Sequence, residues 1–336
     1  MKKGWWWKPM IKVHCFVSCV CEVIKKTNGV DHRPYYFGVW DADFDVLEDG
    51  TLTYHSDRID HEFFQTWYEM LYGIKLQKWY DESKSKQENI EKMLTLLEDK
   101  DRHQYVMVML DLSLLPEREN KFHSKPFPHY VMLEKTGNED EWFMYDPDFR
   151  WEGVLPKDRI LNAIAEPAVE GGYVFQAERI RPPSAETIQA YFHTCLKLDS
   201  NPITDALSDI VKAYAIGEQK ENLGQLSPAL KQLPVLAIRK YAYEHAFAYF
   251  WELLELEEDG FEAWCDEIEH LVKGYTTIQY RAMKLALTKD LSLVDDITSK
   301  LAEQNEREFK IKQGLLQCFE QWSKGQNNKI KKVTMI

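Results

Sequence analysis

The sequence predicts an α+β protein in which strands and helices mix up to residue 182 and only helices follow. Three observations carry this. The chain has 336 residues, beyond the length at which a single hydrophobic core usually stops growing, so two domains are expected. Strand-like patterns occur only before residue 182. The break Arg181-Pro182-Pro183-Ser184 follows, and beyond it apolar residues recur at helical spacing. The expected domains are therefore 1–182 and 183–336.

Taken in order, residues 11–16 (IKVHCF) read as a short strand, and Ser18 to Lys26 as a helix that Asn28-Gly29 ends. The fragments YYFGVW (35–40) and TLTYH (51–55) look strand-like around an acidic turn, Asp41-Ala42-Asp43-Phe44-Asp45. Phe63, Phe64, Trp67, Met70, Leu71 and Ile74 predict a helix within 60–80, and Ser85 to Leu97 a second. Strands follow at 104–110, 128–135, 141–145 and 173–178. The helices expected after the break are 185–198, 203–216, 228–258, 260–289 and 292–324, with Pro228 and Pro234 limiting the start of the third.

Fifty-five acidic residues against 42 basic ones give a formal net charge of −13. Such a field repels a phosphate backbone and favours cationic ligands, which argues against nucleic acid as a partner. No run of roughly 18 apolar residues is present, so no membrane span is expected. Met1 to Lys12 lacks the apolar core of a signal peptide. Cys15, Cys19 and Cys21 cluster while Cys195, Cys265 and Cys318 are scattered. That is no disulfide framework, and a cytoplasmic location is expected.

Two constellations could carry chemistry. Cys15 stands where an apolar strand gives way to a helix, and a helix N-terminus stabilises thiolate through its dipole and free N–H groups. The same groups could receive an oxyanion. The plainer alternative is a small buried thiol. Downstream, residues 128–147 read as a β-hairpin turning at Gly137-Asn138. A two-residue turn there sets Leu133 opposite Trp142, Val131 opposite Met144 and His129 opposite Asp146, with Cβ atoms roughly 5 Å apart. A carboxylate beside an imidazole fixes its tautomer and stabilises imidazolium, as in a catalytic triad. A structural His–Asp pair closing the hairpin is the competing explanation.

A Cys at a strand–helix junction, then a distant His opening a strand, then the first Asp of Tyr145-Asp146-Pro147-Asp148 resembles the papain-like order. More narrowly, His14-Cys15 followed by a helix ending near Gly29 resembles the N-terminal region of butirosin-pathway acyltransferases. Over its whole length the chain is most similar to the AsbE family of petrobactin siderophore biosynthesis proteins. That resemblance implies a papain-like cysteine-transferase domain followed by a helical one. It also implies transfer of a dihydroxybenzoyl group from an aryl carrier protein to a polyamine such as spermidine. Cys15 would be the nucleophile, His129 the base and Asp146 the residue orienting it. The chain itself would need no cofactor, since the phosphopantetheine belongs to the carrier. One departure is plain: Trp5 to Lys12 contains no Gln to donate to an oxyanion.

Cys19 and Cys21 are rival nucleophiles. Their spacing could suggest zinc, but no second ligand pair appears, so metal is not expected. Asp41, Asp43 and Asp45 imitate an EF-hand start, yet Val46 and Leu52 occupy positions reserved for Gly and Glu. A set of carboxylates holding a polyamine is the functional reading of Asp41 and Asp43, a solvated loop the plain one. Tyr35, Tyr36 and Trp40 are candidates for lining an aryl pocket, although such residues are more often core. Residues 241–272 hold ten Asp or Glu and no Lys or Arg, which reads as a solvated helical face. The helical half also offers a surface for a homodimer. Two rivals to acyl transfer remain: a cysteine peptidase or amidase, in which water replaces the amine, and a non-catalytic scaffold of the same fold.

Overall fold

The structure, a computed structural model, describes residues 13–118 and 125–334, with side chains as far as 326. Residues 11 and 12 of the expected first strand, and Trp5 to Lys12, lie outside the described residues. The elements run α1 (Cys15–Lys25), β1 (Asp45–Val46), β2 (Leu52–Thr53), α2 (Glu62–Tyr72), β3 (Gln77–Lys78), α3 (Lys86–Glu98), β4 (Gln104–Asp111), β5 (Pro128–Lys135), β6 (Glu141–Asp146), β7 (Trp151–Pro156), α4 (Lys157–Ala165) and β8 (Gly172–Gln176). Helices follow: α5 (Ala185–Cys195), α6 (Pro202–Ala215), α7 (Leu226–Ala229), α8 (Leu233–Ala237), α9 (Ala242–Leu253), α10 (Glu258–Thr288) and α11 (Leu293–Thr334). The protein is thus mixed helix and sheet. None of the described helices is long and apolar enough to cross a membrane.

The chain forms two compact units that interleave in sequence. One gathers the described residues up to Tyr35 with His61–Thr187; the other gathers Tyr36–Asp60 with everything from Ile188 onward. A single cut at residue 182 is a different division from this one, because it leaves Tyr36–Asp60 with the strands.

In the first unit six strands form one sheet in the order β3-β8-β4-β5-β6-β7, and every neighbouring pair is antiparallel. β4 and β5 are central, and from Pro128 to Leu133 every side chain is buried, as expected of a strand covered on both faces. Helix α1 forms because Phe16, Val17, Val20, Val23 and Ile24 give it an apolar face, all of them buried. A capping box starts α3: Ser85 accepts from the Glu88 N–H while the Glu88 carboxylate accepts from the Ser85 N–H. In the second unit Phe192 stacks on Phe319 at 4.1 Å between ring centroids. The indole of Trp264 stacks on Phe247 and lies over Gly314, where a Cβ would sit 2.3 Å from it. Any larger residue at 314 would have to displace that ring.

Several expectations differ from the structure. YYFGVW forms no strand; Arg33–Gly38 is a 3-10 helix opened by Pro34, and buried aromatic runs look alike in either state. The helix expected within 60–80 stops at Tyr72, because Gly73 takes a left-handed φ of 76°. β7 and α4 were not anticipated, since β7 is a half-exposed edge strand without the apolar run that marks its neighbours. The expected helix 228–258 is broken into α8, a 3-10 turn at Ile238–Tyr241 and α9.

The hairpin register is also corrected. Met132 pairs with Tyr145, Leu133 with Met144 and Lys135 with Trp142, two residues out from the register expected. Gly137 does not take the positive φ that a two-residue turn requires. The longer connection is held instead by side chains: the Thr136 hydroxyl donates to the Glu141 carbonyl at 2.9 Å, and Asn138 Oδ1 accepts from the Asp140 N–H at 3.1 Å. A shift of two keeps each side chain on its original face of the sheet.

Candidate active site

Helix α1 begins at Cys15, with His14 extended as its N-cap. The first helical residue is thus a thiol that is only partly buried, whereas Phe16 to Val20 behind it are buried. β5 supplies His129 and the end of β6 supplies Asp146, which is fully buried. His129 Nε2 lies 2.9 Å from Asp146 Oδ1. The second carboxylate oxygen, Oδ2, accepts from Arg118 Nη2 at 2.8 Å, and the Phe149 N–H donates to Oδ1 at 3.3 Å. The Arg118 guanidinium sits over the Trp151 ring, 4.6 Å from its centroid. The imidazole packs beside Phe127 and Phe149.

Electrostatics favour an ionised pair. Burial alone would push the His129 imidazole down. The charge of Asp146, the Cys15 sulfur and hydrogen bonds to both instead hold it well above its ordinary value. Burial would raise Asp146, but His129, Arg118 and the Phe149 N–H together keep its carboxyl below the usual range. An imidazole oriented in this way can exchange a proton with a neighbouring thiol, whose sulfur can then meet an electrophilic carbonyl.

Two residues in this unit escaped the sequence reading. Asp148 Oδ1 accepts from the His14 N–H at 3.0 Å and from the Ser18 hydroxyl at 2.7 Å. Burial, aided by the neighbouring Asp146 charge, pushes the Asp148 carboxyl up. Its signal was present as the second Asp of Tyr145-Asp146-Pro147-Asp148. Arg118 had none, since a lone Arg among loop residues looks solvated.

Residues 10–180 match the family described as the DUF6005 N-terminal domain, and residues 186–335 match the DUF6005 C-terminal domain. The chain belongs to the DUF6005 family. It is 48% identical over 318 residues to petrobactin synthase of Bacillus anthracis, covering 95% of this chain and 97% of that protein.

Most of the other candidates of this DUF6005 chain are buried. Cys19 and Cys21 are buried, and their thiols donate to the carbonyls of Tyr130 at 3.6 Å and His32 at 3.8 Å. Tyr35 is fully buried and donates to the Phe64 carbonyl at 2.6 Å. Tyr36, Trp40, Asp41 and Asp43 belong to the second compact unit. There Tyr36 stacks on His245 and Trp40 on Tyr243, and both aromatic residues are core.

Asp41 is already engaged. Its Oδ1 accepts from Lys240 at 2.7 Å and its Oδ2 from Lys312 at 2.9 Å. Lys240 also reaches Glu308 at 2.6 Å. Glu308 accepts in addition from the hydroxyls of Tyr243 and Tyr275, both at 3.0 Å. Two lysines thus face two carboxylates, each with hydrogen bonds, as buried charge requires. The chain's own ammonium groups occupy the carboxylate expected to take a polyamine. Asp45 is likewise occupied by Ser56 and Arg58, which leaves the exposed Asp43 carboxylate as the solvated member of the loop.

Proposed function

We propose that this chain is an amide-forming acyltransferase of siderophore biosynthesis acting on the petrobactin route. In this reading Cys15 accepts a dihydroxybenzoyl group from an aryl carrier protein and passes it to an amine of spermidine on a papain-like scaffold. What supports the mechanism is the 2.9 Å contact between His129 Nε2 and Asp146 Oδ1, with the Cys15 sulfur among the groups that hold the imidazole above its ordinary value. The relative named petrobactin synthase supports a role in siderophore biosynthesis, and the aryl donor and spermidine follow from the family resemblance.

The Cys15 thiolate attacks the thioester carbonyl, and the carbon–sulfur bond to the carrier's phosphopantetheine breaks. The departing thiolate takes its proton from imidazolium, leaving an aroyl-enzyme thioester. The amine nitrogen then attacks that carbonyl and gives a proton to His129, and the carbon–sulfur bond to Cys15 breaks to release the amide. Thioester exchange is nearly thermoneutral and amide formation runs downhill, so the sequence needs no nucleotide. Asp146 keeps the imidazole oriented throughout and stabilises the imidazolium each time it forms.

Intact-mass measurement after mixing with an aroyl-carrier thioester tests this. A covalent aroyl adduct on Cys15 that spermidine discharges far faster than buffer supports the transferase. Equal discharge in buffer alone identifies an amidase instead. No adduct under any condition refutes Cys15 as nucleophile.

A further inference from the structure

We propose that Asp148 is a positioning residue for Cys15, clamping the first turn of α1 to the strand end that carries Asp146 so that the sulfur stays against the His129 imidazole. This rests on the reading of Cys15 as nucleophile.

The two hydrogen bonds made by Asp148 Oδ1 bracket Cys15 in the chain. One comes from the backbone N–H of His14, the residue before it, at 3.0 Å. The other comes from the hydroxyl of Ser18, one turn further on, at 2.7 Å. The first N–H groups of a helix have no partner within it, and a carboxylate near that end also suits the helix dipole. Here the partner arrives from 134 residues downstream in sequence. Asp146 and Asp148 are separated only by Pro147, whose ring fixes φ. One short, stiff segment therefore sets both the imidazole, through Asp146, and the sulfur, through α1. Errors in the distance between base and nucleophile are confined to a three-residue stretch rather than spread over the long loop between them.

The full chain is treated with iodoacetamide across a pH series, and modification of Cys15 is followed by peptide mass, alongside kcat and KM for acyl transfer. A displaced sulfur loses its imidazolium partner, so less thiolate forms at neutral pH. Asp148→Ala should slow Cys15 alkylation by about tenfold and raise its pH midpoint, with kcat falling and KM for the amine unchanged. Asp148→Asn keeps an oxygen that accepts the same two hydrogen bonds, and should recover to within about threefold of the parent. Ser18→Ala, which keeps the carboxylate and removes one bond, should lie between the two. Alkylation of Asp148→Ala at the parent rate and pH midpoint would overturn the clamp, as would Asp148→Asn being as slow as Asp148→Ala. A parent Cys15 that alkylates no faster than Cys265 would instead refute the nucleophile reading on which the clamp rests.

Discussion

His129 Nε2 and Asp146 Oδ1 lie 2.9 Å apart although the two residues are diagonal, not opposite, in the β5–β6 ladder. The pairing of Met132 with Tyr145 fixes that offset. Diagonal neighbours on one face are farther apart than direct partners, roughly 7–8 Å, but long side chains still meet across the gap. Arg118 Nη2 donates to the other carboxylate oxygen at 2.8 Å, so Asp146 serves two cations at once.

Replacing Asp146 by Asn should lower the rate of Cys15 acylation by about 10²-fold or more, because an amide neither stabilises imidazolium nor fixes its tautomer. Cys15→Ala should do worse by removing the nucleophile altogether. Rapid-quench mass spectrometry of the acyl-enzyme reads both. The denaturation midpoint of the Asn variant should fall as well, since the buried Arg118 guanidinium loses its countercharge.

Arg118→Gln should act on the acid limb of activity. Its guanidinium helps to hold Asp146 ionised. Without it the carboxyl protonates at higher pH, so the acid limb of the kcat profile should move up. A profile identical to the parent's would mean that Arg118 serves packing alone.

The raised value of His129 also sets a pH dependence of stability. A group held above its unfolded value, about 6.5 for His, contributes stability that is complete below that pH and is lost as pH rises through the folded value. Urea unfolding from pH 6 upward should show this decline. His129→Gln should flatten that component of the slope.

The buried ion cluster of the second unit predicts strong coupling. Lys240→Met leaves Glu308 and Asp41 short of a cation and should cost about 3–5 kcal/mol, read from the denaturant midpoint. Removing Glu308 as well, in Lys240→Met with Glu308→Leu, balances Asp41 against Lys312 and should cost less than the single change. A double variant less stable than the single would contradict the pairing.

Much of this was legible in the chain because it rests on local rules. The helix after Cys15, the strands around His129 and Asp146, and the long C-terminal helices follow from period and punctuation, whereas Cys15 and Phe16, expected to end a strand, are already helical. The 3-10 turn at Arg33–Gly38 was not legible, because a buried aromatic run carries no period. Nor was the hairpin register, which Thr136 and Asn138 decide by hydrogen bonds that compete with the expected glycine turn. The engagement of Asp41 was hidden for a different reason: Lys240 and Lys312 lie 199 and 271 residues away in sequence. A carboxylate advertises its charge to a reader of the sequence but not the partner that neutralises it.

The offset between the strand expected and the strand observed has a consequence for how such chains can diverge. Lengthening or shortening the 136–140 connection by two residues slides β6 along β5 yet leaves the imidazole and the carboxylate on one side of the sheet. A change of one residue turns Asp146 through to the opposite side unless a bulge absorbs it. Insertions here are therefore governed by parity rather than by length or composition. Among functional members of the family the spacing between this His and this Asp should vary in even steps, and an engineered odd step should silence the pair while a second one restores it.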